Sequence, residues 1–154
     1  NNKEKRGIFM NNDLNLLLSN LNVMYRKLQN FHWYVQGKDF FTIHEKLEEY
    51  YNDVNKQIDE VAEHMLSRDF YVMATMKEYL ETSQIKEAES KKILSKDLIK
   101  IVIKDFETLI ENIKKIKEEA DNENAYTTSS IMDGYMLDYK KKLWMLNQMR
   151  CMEE

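Results

Sequence analysis

A chain of 154 residues fits one domain, large enough to bury about two thirds of its unfolded surface. With no proline, three glycines and 32% charged residues it reads as all-helical, and a formal charge of −4 gives it no global attraction to nucleic acid, which needs clustered Lys and Arg. The single cysteine, Cys151, excludes an internal disulfide framework and fits a reducing cytoplasm, while no apolar run approaches the ~20 residues of a membrane span and no signal-peptide pattern is visible.

The first segment, residues 1–12, reads as a flexible tail. Lys3, Lys5 and Arg6 stand against Glu4, and residues 1–7 hold nothing apolar to anchor them. Asp13 is the expected cap of the first long helix, whose Leu14, Leu17, Leu21, Met24, Leu28, Phe31 and Val35 recur at threes and fours. Leu18, Tyr25 and His32 form an adjacent line at sevens, which places His32 at the edge of the buried stripe. Core packing is the plain expectation for Trp33.

Gly37 breaks the pattern before a second helix, Thr42 to Leu66. It contains no Gly or Pro, and Ile43, Leu47, Tyr50, Val54, Ile58, Val61 and Met65 mark its apolar face. His44 and Glu48 lie one turn apart on it; Asp59 and Glu63 repeat that spacing near the other end, so each pair can present two ligand atoms to one ion. Neutral imidazole and carboxylate are the usual ligands of Fe, Mn and Zn, and every histidine of the chain falls between residues 30 and 64. Yet His44 and Asp59 are fifteen residues apart, roughly 22 Å at 1.5 Å per residue. One ion cannot bind both within a single chain. His32, His44 and Glu48 therefore read as one half-site and Asp59 with Glu63 as another, brought together if a two-fold axis sets one subunit's helix against its partner's.

Residues 67–94 read as a long crossover holding a short helical piece, Thr75 to Ile85, with Tyr79 and Leu80 as its apolar contacts. The third long helix, Ser95 to Ala120, carries the most regular stripe: Ile99, Val102, Phe106, Leu109, Ile113, Ile116 and Ala120. A polar turn, Asp121 to Asn124, leads to a fourth helix with Met132, Met136, Tyr139, Leu143 and Leu146 inward. The bundle is expected over residues 13–150, with 151–154 trailing off. Four helices of about 24 to 26 residues, roughly 36 to 39 Å each, joined by two short connections and one long one, have the layout of a ferritin-like bundle. Di-iron bundles that build their centre inside one chain use Glu-x-x-His pairs. Here Gln29, Phe41 and Val61 stand three residues before the histidines, which favours the shared site.

His32-Trp33, Gly37, Phe40, His44, Tyr50 or Tyr51, Asp59 and Ala62-Glu63 together resemble the Dps family, the mini-ferritins named for DNA-binding proteins from starved cells. The resemblance extends weakly over nearly the whole chain, including Lys142 to Leu146. It implies an all-α, ferritin-like four-helix bundle assembled into a hollow twelve-subunit shell. It also implies an inter-subunit ferroxidase centre formed by His32, His44, Asp59 and Glu63, with Glu48 where many members have aspartate. There Fe(II) would be oxidised to Fe(III), preferably by hydrogen peroxide, and stored as ferric mineral, which removes both reagents of hydroxyl-radical production. Beside Trp33 the resemblance implies a ring able to intercept radicals. Lysine-bearing tails bind DNA in some relatives, but three cations neutralise only about three phosphates per subunit, so a solvated tail is the preferred reading. A DNA-compacting protein with a vestigial metal site is the competing one.

The chain departs from that pattern at several places. Glu63 is followed by His64 in place of arginine, an extra ligand or a plain surface or interface histidine. Ser67-Arg68-Asp69-Phe70 replaces a Gly-rich turn and proline after the second helix. Asn124-Ala125 replaces Gly-Asp before the last, leaving Asp121 and Glu123 as candidates for the acidic lining of a three-fold pore, or as solvated turn carboxylates.

Overall fold

The computed structural model describes residues 1–150; the expected C-terminal tail and Cys151 lie outside the described residues. The order is α1 (Asn2–Tyr34), β1 (Val35–Gln36), α2 (Phe40–Ser67), α3 (Met76–Thr82), β2 (Ile93–Leu94), α4 (Ser95–Asn122) and α5 (Tyr126–Arg150). Helices α1 and α2 pack as one antiparallel pair and α4 and α5 as the other, with α1 also against α4. This is a ferritin-like four-helix bundle with a short helix in the long crossover.

The start of α1 corrects the sequence reading. The helix begins at Asn2, with Asn1 as its cap accepting the Lys3 backbone N–H at 3.3 Å, and it runs 33 residues, about 50 Å. Residues 2–12 are thus helix and not an irregular tail. Met10 is fully buried, and the Arg68 guanidinium donates to its Sδ at 2.7 Å, a fixing point that the polar run before it conceals. Elsewhere the apolar stripes find their core: Ile43, Leu47, Tyr50, Val54, Val61 and Met65 of α2 pack with the whole Ile99-to-Ala120 stripe of α4. At the centre Phe106 meets Tyr50 and Tyr139 edge-on, with centroids 5.4 and 5.2 Å away.

The crossover is ordered by side chains that satisfy its backbone. Thr75 caps α3 by accepting the Glu78 N–H at 3.2 Å, and its hydroxyl donates back to Glu78 at 2.7 Å, as the Thr-x-x-Glu spacing favours. Asn20, fully buried in α1, accepts from Ser83 Oγ and the Gln84 N–H, both at 2.8 Å, and donates to Asn112 at 2.6 Å. It pins the crossover to α1 and α4. Of the two expected contacts of α3, Tyr79 is buried but Leu80 is exposed, because a helix of seven residues turns only one narrow face inward.

Beyond α3 the chain makes a two-residue parallel ladder, Val35 opposite Ile93 and Gln36 opposite Leu94. Gly37 next to it has φ +148°, and a Cβ there would lie 2.7 Å from Ser95 Oγ. The glycine lets the chain turn from α1 into α2 against the start of α4.

Candidate metal centre

His32 ends α1 and His44 begins α2, and the turn at Gly37 brings them face to face. Their rings stack with centroids 3.7 Å apart and planes 8° from parallel. Each ring holds the other's main chain. His32 Nδ1 donates to the His44 carbonyl at 2.6 Å, and His44 Nδ1 to the His32 carbonyl at 2.7 Å. A carbonyl only accepts, so both Nδ1 atoms carry the proton in the neutral rings and both Nε2 atoms carry the lone pair. Among the described residues neither Nε2 has a hydrogen-bond partner. Such a backbone bond behind the ligating nitrogen is the usual support of a metal-binding imidazole.

Aromatic rings fix the pair from both sides. Phe40 stacks on His44 at 5.0 Å, Tyr51 meets His32 edge-on at 5.5 Å, and Tyr25 meets Tyr51 edge-on at 5.9 Å. The spacing of these supports is visible in the sequence: Phe40 lies four residues before His44, Tyr51 seven after it, and Tyr25 seven before His32, so each shares a helix face with the histidine of its own helix. The Glu48 carboxylate, one turn from His44, is exposed and accepts from the Tyr51 hydroxyl at 3.3 Å. It raises the Tyr51 phenol, second to burial.

Asp59 and Glu63 occupy the far half of α2, exposed and without ion-pair partners among the described residues. They are not brought to the histidines. Among the described residues of one chain, no group of three or more His, Cys, Asp or Glu converges on a point that could hold an ion. The donor types of His32, His44 and Glu48 suit a first-row divalent metal, but the two imidazoles and this carboxylate do not close into a three-ligand site within one chain.

The remaining candidates have intrachain roles. Trp33 is 59% exposed in this chain, not packed in the core, with the Arg26 guanidinium 5.8 Å from its ring centroid; the residue after His32 points off the buried stripe. His64 Nε2 bonds Thr128 Oγ1 of α5 at 2.7 Å, and burial, then Arg68, lowers its pKa. Asp121 accepts from Ser129 Oγ at 2.6 Å and lies 3.4 Å from Lys117 Nζ. Its charge is therefore partly neutralised.

Two paired long helices, a histidine-bearing junction between them and a second acidic pair along α2 define a ferritin-like protein, and the ferritin-like domain family matches residues 11–150. DNA protection during starvation protein 2 of Bacillus anthracis is 41% identical over 133 residues, covering 86% of this chain and 90% of the relative. The crystal structure of antigen TpF1 from Treponema pallidum superposes with a TM-score of 0.92 at 31% identity, covering 95% of this chain and 94% of that one. A Dps protein from Vibrio cholerae, described as a member of the ferritin-like diiron-carboxylate superfamily, gives 0.88 at 34%, covering 94% and 90%. The chain belongs to the Dps family.

Proposed function

We propose that this protein oxidises Fe(II) at sites shared between two subunits and stores the ferric product inside a closed, twelve-subunit shell, protecting the cell against oxidative stress. The observation that carries the reading is the His32–His44 pair: two imidazoles locked in the tautomer that leaves Nε2 free, where the described residues of one chain form no complete site of three or more ligands. The diiron-carboxylate description of the Vibrio cholerae relative supports iron as the metal, and the exposed Asp59 and Glu63 are the carboxylates a partner's histidines would meet across a self-complementary interface.

In this reading His32, His44 and Glu48 of one subunit and Asp59 and Glu63 of its partner hold Fe(II) as substrate. Two Fe(II) ions give one electron each to hydrogen peroxide; its O–O bond breaks, and with two protons the oxygens leave as two waters. The neutral imidazole is the ligand form, so acid weakens the site by protonating it. Anaerobic Fe(II) titration followed by a pulse of peroxide, read alongside the assembled mass, tests the proposal. Saturable Fe(II) binding with peroxide consumed at one per two irons is expected from a twelve-subunit particle. A monomer, or a particle that leaves peroxide unconsumed, overturns it.

A further inference from the structure

We propose that the cavity between α1, α4 and the crossover binds a small, uncharged, largely apolar molecule, held by a carbonyl oxygen that accepts from the Lys27 ammonium. The cavity measures about 530 Å³, within the range of sites for small organic molecules, and its lining holds none of the residues assigned to iron.

The most buried charged group that lines it is Lys27, whose side chain is only 7% exposed and pairs with Asp105 of α4 at 2.6 Å. An ammonium carries three N–H donors, and Asp105 is its one ion-pair partner among the described residues. Donors therefore remain to be matched. A buried pair of this kind is no more stabilising than well-packed apolar side chains of the same size, so packing alone gives no reason for it. What the pair adds is a hydrogen-bond donor at the bottom of the recess.

Around it Phe31, Ile93, Leu94 and Ile101 supply apolar wall. That wall is preformed: the crossover is held by the ladder from Val35 to Ile93 and by Asn30, whose side-chain amide donates to the Glu89 carbonyl at 3.1 Å. The charges of the lining cancel. Lys91 pairs with Glu89 at 3.1 Å, and Lys27 and Lys92 are offset by Glu87 and Asp97, so no net charge draws an ion inward. A cation would meet Lys27, and an anion would meet Asp105 behind it. A neutral carbonyl avoids both penalties, because it accepts an N–H and brings no charge out of water. Ketones, quinones and tertiary amides with an apolar body are the class that fits.

The test uses the assembled, iron-free protein and the uncharged fluorescent ketone Prodan, whose emission moves to the blue on leaving water, beside dimethylaminonaphthalene, the same rings without the carbonyl. Saturable binding of Prodan at one per subunit is expected, about tenfold or more tighter than the ring compound, since a hydrogen bond from a charged donor goes with the carbonyl. Lys27→Met with Asp105→Leu removes the donor and strands no carboxylate; it should melt close to wild type and bind the two compounds equally. Ala88→Trp, which fills the recess from the crossover side, should bind neither. Prodan binding that does not saturate, that is no tighter than that of the ring compound, that keeps its advantage in the double variant or that survives Ala88→Trp overturns the proposal. The two variants probe the cavity by different changes, so misfolding of one leaves the other decisive. Binding here needs no iron, and its outcome stands apart from that of the peroxide titration.

Discussion

The His32–His44 latch separates ligation from folding. The carbonyl at position 44 survives truncation of the side chain, so His44→Ala keeps the bond from His32 Nδ1 and loses the bond to the His32 carbonyl together with the ring contacts to His32 and Phe40. One hydrogen bond is worth about 1 kcal/mol net. His44→Ala is therefore expected to fold with a modest loss by denaturant titration, and to stop consuming peroxide with Fe(II). Lys27 poses the opposite case. It pairs with Asp105 at 2.6 Å, with side chains only 7% and 12% exposed, and burial raises the Asp105 pKa more than Lys27 lowers it. Lys27→Met strands that carboxylate and should cost about 3–5 kcal/mol at neutral pH. The loss shrinks as acid protonates Asp105, and Lys27→Met with Asp105→Leu should recover most of it. Urea midpoints at two pH values check both statements.

Where α1 crosses α4, two carboxyls meet without a donor between them. Asp13 Oδ2 and Glu119 Oε2 are both buried and unpartnered, and burial with the neighbouring Asp13 pushes Glu119 up to about 8 from 4.5. Between those values the folded chain holds a proton that the unfolded chain has released, so stability is fully present below 4.5 and falls as pH rises through 8. Glu119→Gln should remove that downward slope and be the more stable protein above pH 8, as thermal melts across the range would read. The α1–α2 junction depends on Gly37 in a different way. Gly37→Ala forces a side chain onto φ +148° and against Ser95, at about 1–3 kcal/mol. The strain falls on the turn that places His32 opposite His44, so a lower melting temperature and weaker Fe(II) binding are expected together.

At the scale of the assembled molecule the shared-site proposal has a direct consequence. His44→Ala and Asp59→Ala each destroy every site in a homogeneous assembly. In a mixed dimer one site collects both substitutions and the other collects neither. Dissociating and reassembling the two variants together at equal amounts should restore about a quarter of the wild-type sites by random pairing, measured as peroxide-dependent Fe(II) oxidation. Mixtures as inactive as their parents would overturn the shared site. No helix among the described residues is long and apolar enough to cross a membrane.

The sequence by itself determined the four long helices, since stripes at threes and fours such as Ile99 to Ala120 leave a helix one face to bury. It also determined that His44 and Asp59 are separated, because a helix has a fixed rise. The start of α1 was not legible, because Met10 is anchored by Arg68, a residue 58 positions away. Nor were the exposure of Trp33 and the reciprocal histidine bonds. Those depend on how Gly37 folds one helix onto another, a through-space relation that no local pattern encodes. Tertiary structure alone decided that both imidazoles turn their Nδ1 atoms to each other's backbone and keep Nε2 free.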